Sequence, residues 1–89
     1  MSSGANALGE FLRARRELLD PEEAGIPNFG RRRVPGLRRE ELALLAGVSS
    51  PYYTRLEQGR DRHPSPQILE AIGRALGLDE QALAHLHRK

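Results

Sequence analysis

Three histidines, two adjacent pairs of glutamates and a crowd of arginines are the side chains of this sequence that could do chemistry. The histidines do not make a metal site. His85 and His87 stand two apart on an expected helix and so do not face one another, while His63 falls in a loop. Zinc takes about four ligands, and with no Cys and no clustered acid nothing completes the set. Glu22-Glu23 and Glu40-Glu41 are neighbours in sequence, and neither has the look of a buried acid/base pair. One of Glu40 and Glu41 is instead expected to cap a helix or to pair with an arginine. No nucleophile elbow, phosphate loop or nucleotide-binding glycine pattern is present, so no enzyme activity, metal or cofactor is expected.

The arginines are the informative set. Arg supplies 13 of the 14 basic side chains, and a net charge of +2 hides how unevenly they are placed. Arg31, Arg32, Arg33, Arg38 and Arg39 put five positive charges into nine residues. A planar guanidinium fork suits phosphate and the guanine edge. A run such as Arg31 to Arg33 can also be no more than a solvated loop. Its closeness to the next helix favours the alternative, in which it follows a phosphate backbone or enters a minor groove, with affinity then falling steeply with salt.

These side chains need elements to hold them, and 89 residues give room for one domain with one modest core. Four aromatic residues and no Trp argue against an aromatic-lined pocket and against stacking of single-stranded nucleic acid. The lack of Cys suits a reducing cytoplasm, and no stretch reads as a membrane span or secretion signal. Residues 1–6 are expected to be a flexible arm and 7–89 the domain. Leu8, Phe11, Leu12, Leu18 and Leu19 mark the apolar face of a helix over Ala7–Leu19, with Arg13, Arg15, Arg16 and Glu17 mostly outside it. Asp20-Pro21 could start one short helical turn before Gly25. A second helix is expected over Arg38–Ala46, closed by Gly47. A third opens at Ser50-Pro51, with Ser50 read as the cap, and ends at Gly59; Ser65-Pro66 opens a fourth, and Asp79 caps a fifth. No segment alternates with a period of two, so the fold is expected to be all-α, a five-helix bundle.

Residues 38–58 read as one unit, two short helices crossing steeply over a tight turn. Gly47 supplies a residue tolerant of left-handed backbone and Ala43 a small side chain for close approach. Leu42, Ala46, Val48, Tyr53 and Leu56 supply the shared core. With Tyr53 and Leu56 inward, Ser50, Pro51, Tyr52, Thr54 and Arg55 are left on the outer face, near the helix N-terminus. Short polar groups and an Arg at the positive end of a helix dipole suit insertion into a DNA major groove, with Glu57 the one acid, near the end of that face.

The run LRREELALLAGVSSPYYTRLEQGR followed by PSPQILEAIGRALGL resembles the Xre-type, Cro/repressor-like helix-turn-helix regulators; more narrowly, RRRVPGLRREELALLAGVSSPYYTRLEQGR is similar to the MmyB-like regulators of actinobacteria. The resemblance covers Leu8 to Leu86. It implies a lambda-repressor-like five-helix domain, binding of a double-stranded operator by a dimer, transcription control in the cytoplasm at the nucleoid, and a further C-terminal ligand-binding domain, expected to be absent from a chain that stops at Lys89. By the same resemblance Ser50, Pro51 and Arg55 fall on positions facing base edges, with Arg55 a bidentate reader of guanine, and Thr54 could touch a thymine methyl or a phosphate. Arg39 falls where phosphate is gripped, Tyr52 and Gln58 at other phosphate-facing positions, and Arg60 and Arg62 in a loop that could hold the backbone.

Two positions depart from the family's pattern. Arg38 stands where Ser or Thr usually caps the second helix, exchanging a capping bond for charge near DNA. Pro51 has no donor, so it can read bases by apolar contact alone. Leu83 and Leu86 are expected to be partly exposed, a small patch for a dimer or for another domain. An adaptor that binds a protein partner is the alternative function. It would tolerate exposed apolar or acidic residues on the third helix, where DNA demands a basic surface.

Overall fold

A computed structural model describes residues 6–26, 35–61 and 63–88. Five α-helices follow one another: α1 (Ala7–Leu18), α2 (Arg39–Ala46), α3 (Ser50–Glu57), α4 (Pro66–Ala75) and α5 (Glu80–His87). No strand occurs among the described residues, and the fold is all-α as expected. No described helix is long and apolar enough to cross a membrane.

Local chemistry explains each boundary. Gly47, at φ 76° and ψ 26°, ends α2 in left-handed backbone, and its N–H donates to the carbonyls of Ala43 and Leu44. That bend turns the chain sharply enough for α3 to begin three residues later. Ser49 caps α3, its Oγ accepting from Tyr52 N at 3.1 Å. The expected cap, Ser50, is already the first helical residue, and Pro51 is the second. The structure therefore moves the cap one residue upstream, which the sequence leaves ambiguous because two serines stand side by side. Ser65 and Asp79 cap α4 and α5 as expected, accepting from Ile68 N and Ala82 N. At α2 the guanidinium of Arg38 can only donate, so Glu41 does the capping: its carboxylate accepts from Arg38 N at 2.8 Å. The short turn expected before Gly25 is present, with Ala24 N donating to the Asp20 carbonyl at 3.0 Å.

One core serves all five helices. Leu12, Leu37, Leu42, Tyr53, Leu56, Ile72 and Leu86 are sealed from solvent, with Ala43 among them, and Ala46, Val48 and Leu83 pack at the margin. The helix-turn-helix core is thus built from the expected residues. Leu86 is a correction, since its side chain fills the core, whereas Leu83 is partly exposed as expected. The exposed large apolar side chains are Leu18 and Leu44, with Leu45 half-exposed. α3 is gripped from two sides, by α1 and by α2, while α4 backs α2 and α5 packs on α4. Asn6, the residue before α1, reaches the Glu57 carbonyl with Nδ2 at 3.5 Å; residues 1–5 of the expected arm lie outside the described residues.

Candidate nucleic-acid interface

α3 presents its outer side at the surface. Pro51, Arg55 and Gln58 are exposed, and Ser50, Tyr52 and Thr54 are half-buried along its edges. The Arg55 guanidinium lies over the Tyr52 ring, 5.6 Å from its centroid. Such a cation–π contact at the surface contributes about 0.5–1 kcal/mol and narrows the directions the guanidinium samples. Burial raises the pKa of the Tyr52 hydroxyl, and the Asp61 carboxylate of the following loop raises it further. Arg60 is exposed in that loop, and Arg38 is exposed at the start of α2. Arg31, Arg32, Arg33 and Arg62 lie outside the described residues.

Behind this surface the structure corrects two expectations. Arg16 is buried, not solvated, and Glu57, expected near the end of the outer face, is turned inward. Arg16 donates from Nε to Glu57 Oε2 at 2.6 Å and from Nη2 to Oε1 at 3.0 Å, a two-pronged pair whose partners are 41 residues apart. Its Nη1 donates to the carbonyl of Leu37 at 2.7 Å, so the guanidinium ties α1 to α3 and to the entry of α2. Arg39 adds a third link, Nε to Glu57 Oε1 at 3.0 Å.

The electrostatics follow. Burial pushes the Glu57 carboxyl up, but the bonds from Arg16 and Arg39, with the nearby Tyr53 hydroxyl, outweigh it and hold its pKa below the ordinary range. Burial pulls Arg16 down, and its bonds to Glu57 return it above its usual value. Burial and the neighbouring Glu57 carboxylate push the Tyr53 hydroxyl far up. That hydroxyl makes no hydrogen bond of good geometry, yet it lies close enough to Glu57 to share the carboxylate's field. Buried charges this costly to desolvate persist only when mutually satisfied.

The signal for this network was present in the pattern. Leu8, Leu12 and Arg16 share one face of α1 at spacings of four, and Tyr53 and Glu57 do the same on α3. Polarity, not position, put both charges outside.

A cleft of about 480 Å³ opens between α1, the start of α2 and the start of α3. Its wall carries Arg13, Arg38 and Arg39 together with Ser50 and Thr54, so two residues expected to read bases border a cationic hollow. Glu17 and Glu40 also reach it. Arg39, expected to hold phosphate, spends Nε on Glu57 and keeps its side chain 42% exposed. Nothing comparable gathers around the histidines. His85 packs edge-on against Phe11 with centroids 5.4 Å apart, His87 faces Glu70 at 3.4 Å, and no metal-binding group of three occurs among the described residues.

No curated protein and no solved structure matches this chain. One family model does, that of the Helix-turn-helix domain, over residues 7–86, an interval that takes in α1 to α4 and all but the last residue of α5. With the bend at Gly47, the small contact at Ala43 and the shared core in place, the chain belongs to the helix-turn-helix domain family.

Proposed function

We propose that this chain binds double-stranded DNA sequence-specifically as a transcriptional regulator of the Xre type, and more narrowly of the MmyB-like group, with α3 in the major groove. The observation that carries this reading is the inward turn of Glu57. It is the only acid on α3, and once Arg16 and Arg39 have neutralised it, the outer side of that helix offers phosphate no carboxylate to repel it. Ser50, Pro51, Thr54 and Arg55 then face base edges. Arg38, Arg39, Tyr52, Gln58 and Arg60 face the flanking backbone, with Arg31, Arg32, Arg33 and Arg62 as further phosphate contacts. Two copies on a two-fold operator, no catalysis of its own and a cytoplasmic, nucleoid location complete the proposal.

Titration of Arg55→Ala and Arg39→Ala against an operator selected from random duplexes, and against a scrambled duplex, tests it. Arg55→Ala is expected to lose about 1–3 kcal/mol on the operator and little on the scrambled duplex, as a bidentate base contact does. Arg39→Ala should weaken both alike. Equal losses from Arg55→Ala would remove it from the base readers.

Exposed Leu18 and Leu44 give the protein-adaptor reading its one supporting observation. Both lie outside α3, Leu18 at the end of α1 and Leu44 on α2. A folded sample with no affinity for any duplex in dilute buffer would favour the adaptor.

A further inference from the structure

We infer that the cleft between α1, α2 and α3 seats one phosphodiester of the DNA backbone, and that Arg13, on α1, is a phosphate contact together with Arg39. This rests on the DNA-binding reading and extends it to a helix outside the helix-turn-helix unit. The two arginines are held in the same way. Arg39 gives Nε to Glu57 at 3.0 Å and Arg13 gives Nε to Glu17 at 3.2 Å. Each guanidinium keeps its two terminal nitrogens without a hydrogen-bond partner among the described residues, which is the paired donor edge that a phosphate accepts. The internal carboxylate fixes the side chain and leaves that edge available.

The position is equally specific. Ser50 and Thr54 border the same hollow as Arg13 and Arg39, so a phosphate seated there stands beside α3 and not on a remote face. A helix lying in a major groove about 12 Å wide has a backbone strand along each flank. The Thr54 hydroxyl can donate to the same phosphate, and Arg38 adds charge at the rim. Arg13 pairs with Glu17, and Arg16 and Arg39 share the Glu57 carboxylate, so among the cleft's four arginines and these acids, with Glu40, the positive charges remain in excess.

The test uses the whole chain, the operator and scrambled duplexes, and the variants Arg13→Ala and Arg74→Ala. Arg13 and Arg74 are matched: both are exposed and each pairs with a glutamate four residues away, but Arg74 is on α4, away from the cleft. Loss of such a surface pair leaves the fold nearly as stable, which an unfolding curve checks. Losing one phosphate contact lowers the salt slope by about 0.9. Arg13→Ala is therefore expected to weaken both duplexes equally at low salt, and to lose about threefold less affinity than the unaltered chain between about 50 and 200 mM salt. Arg74→Ala should keep the original slope. An unchanged slope in Arg13→Ala, or the same change in Arg74→Ala, overturns the cleft while DNA binding stands. Absence of duplex binding by the unaltered chain overturns both.

Discussion

A carboxylate shared by two arginines has its protonation set by them, and at Glu57 this makes the fold sensitive to acid. Its folded pKa lies below the ordinary range because the bonds from Arg16 and Arg39, with the nearby Tyr53 hydroxyl, outweigh the upward push of burial. The depressed value means that the network's contribution is fully present above the unfolded value, about 4.3, and is lost as pH falls through the folded one. Glu57→Gln would leave the Arg16 guanidinium buried without its counter-charge, at a cost of about 3–5 kcal/mol near neutral pH. Urea unfolding of both proteins from neutral pH to about pH 3 should therefore show a wide gap that narrows only below the unfolded glutamate value. A gap independent of pH would mean that the carboxylate's charge is not what Arg16 depends on. The sequence reading missed this pair for a physical reason. A charged residue on a buried stripe is informative only once its partner is known, and Arg16 and Glu57 meet across 41 residues.

At the scale of elements, helix starts and stops were largely legible because they are local chemistry. The left-handed Gly47, the caps Ser65 and Asp79, and the prolines of α3 and α4 all stand where their backbone requirements place them. Where the sequence offered two equivalent groups, locality failed. Ser49 and Ser50 are chemically identical, and only the path of the turn decides that Ser49 Oγ meets Tyr52 N. Ser49→Ala is accordingly expected to cost about 1 kcal/mol through the lost cap. Ser50→Ala, one residue inside the helix, should cost nothing comparable, because alanine is the better helix former there. Thermal unfolding of the two variants separates them, and a larger loss from Ser50→Ala would return the cap to that residue. Duplex affinity gives the complementary readout. If Ser50 faces DNA, its variant should bind more weakly while staying as stable as the parent.

Across the whole molecule, the outward side of α3 is a consequence of how its inward side is held. α2 fixes one flank through the shared core, and α1 fixes the other through the Arg16–Glu57 pair and through Gly9. Gly9 is buried against α3 so closely that a Cβ there would run into the backbone carbonyl of Glu57. A carbonyl in a helix cannot step aside without moving the end of α3, so the close approach calls for glycine. Gly73 offers an internal comparison, because the atom its Cβ would meet is Leu83 Cδ1, the end of a flexible side chain. Replacing a helical glycine by alanine gains about 1 kcal/mol of intrinsic propensity at either site. At Gly73 that gain should roughly offset the repacking, giving little net change. At Gly9 overpacking should dominate and lower stability by about 1–3 kcal/mol, with the denaturant slope unchanged. Duplex affinity should fall with it even where the variant is fully folded, since the displaced helix is the one that enters the groove. A Gly9→Ala protein as stable as the parent, with undiminished affinity, would mean that α1 does not set the position of α3.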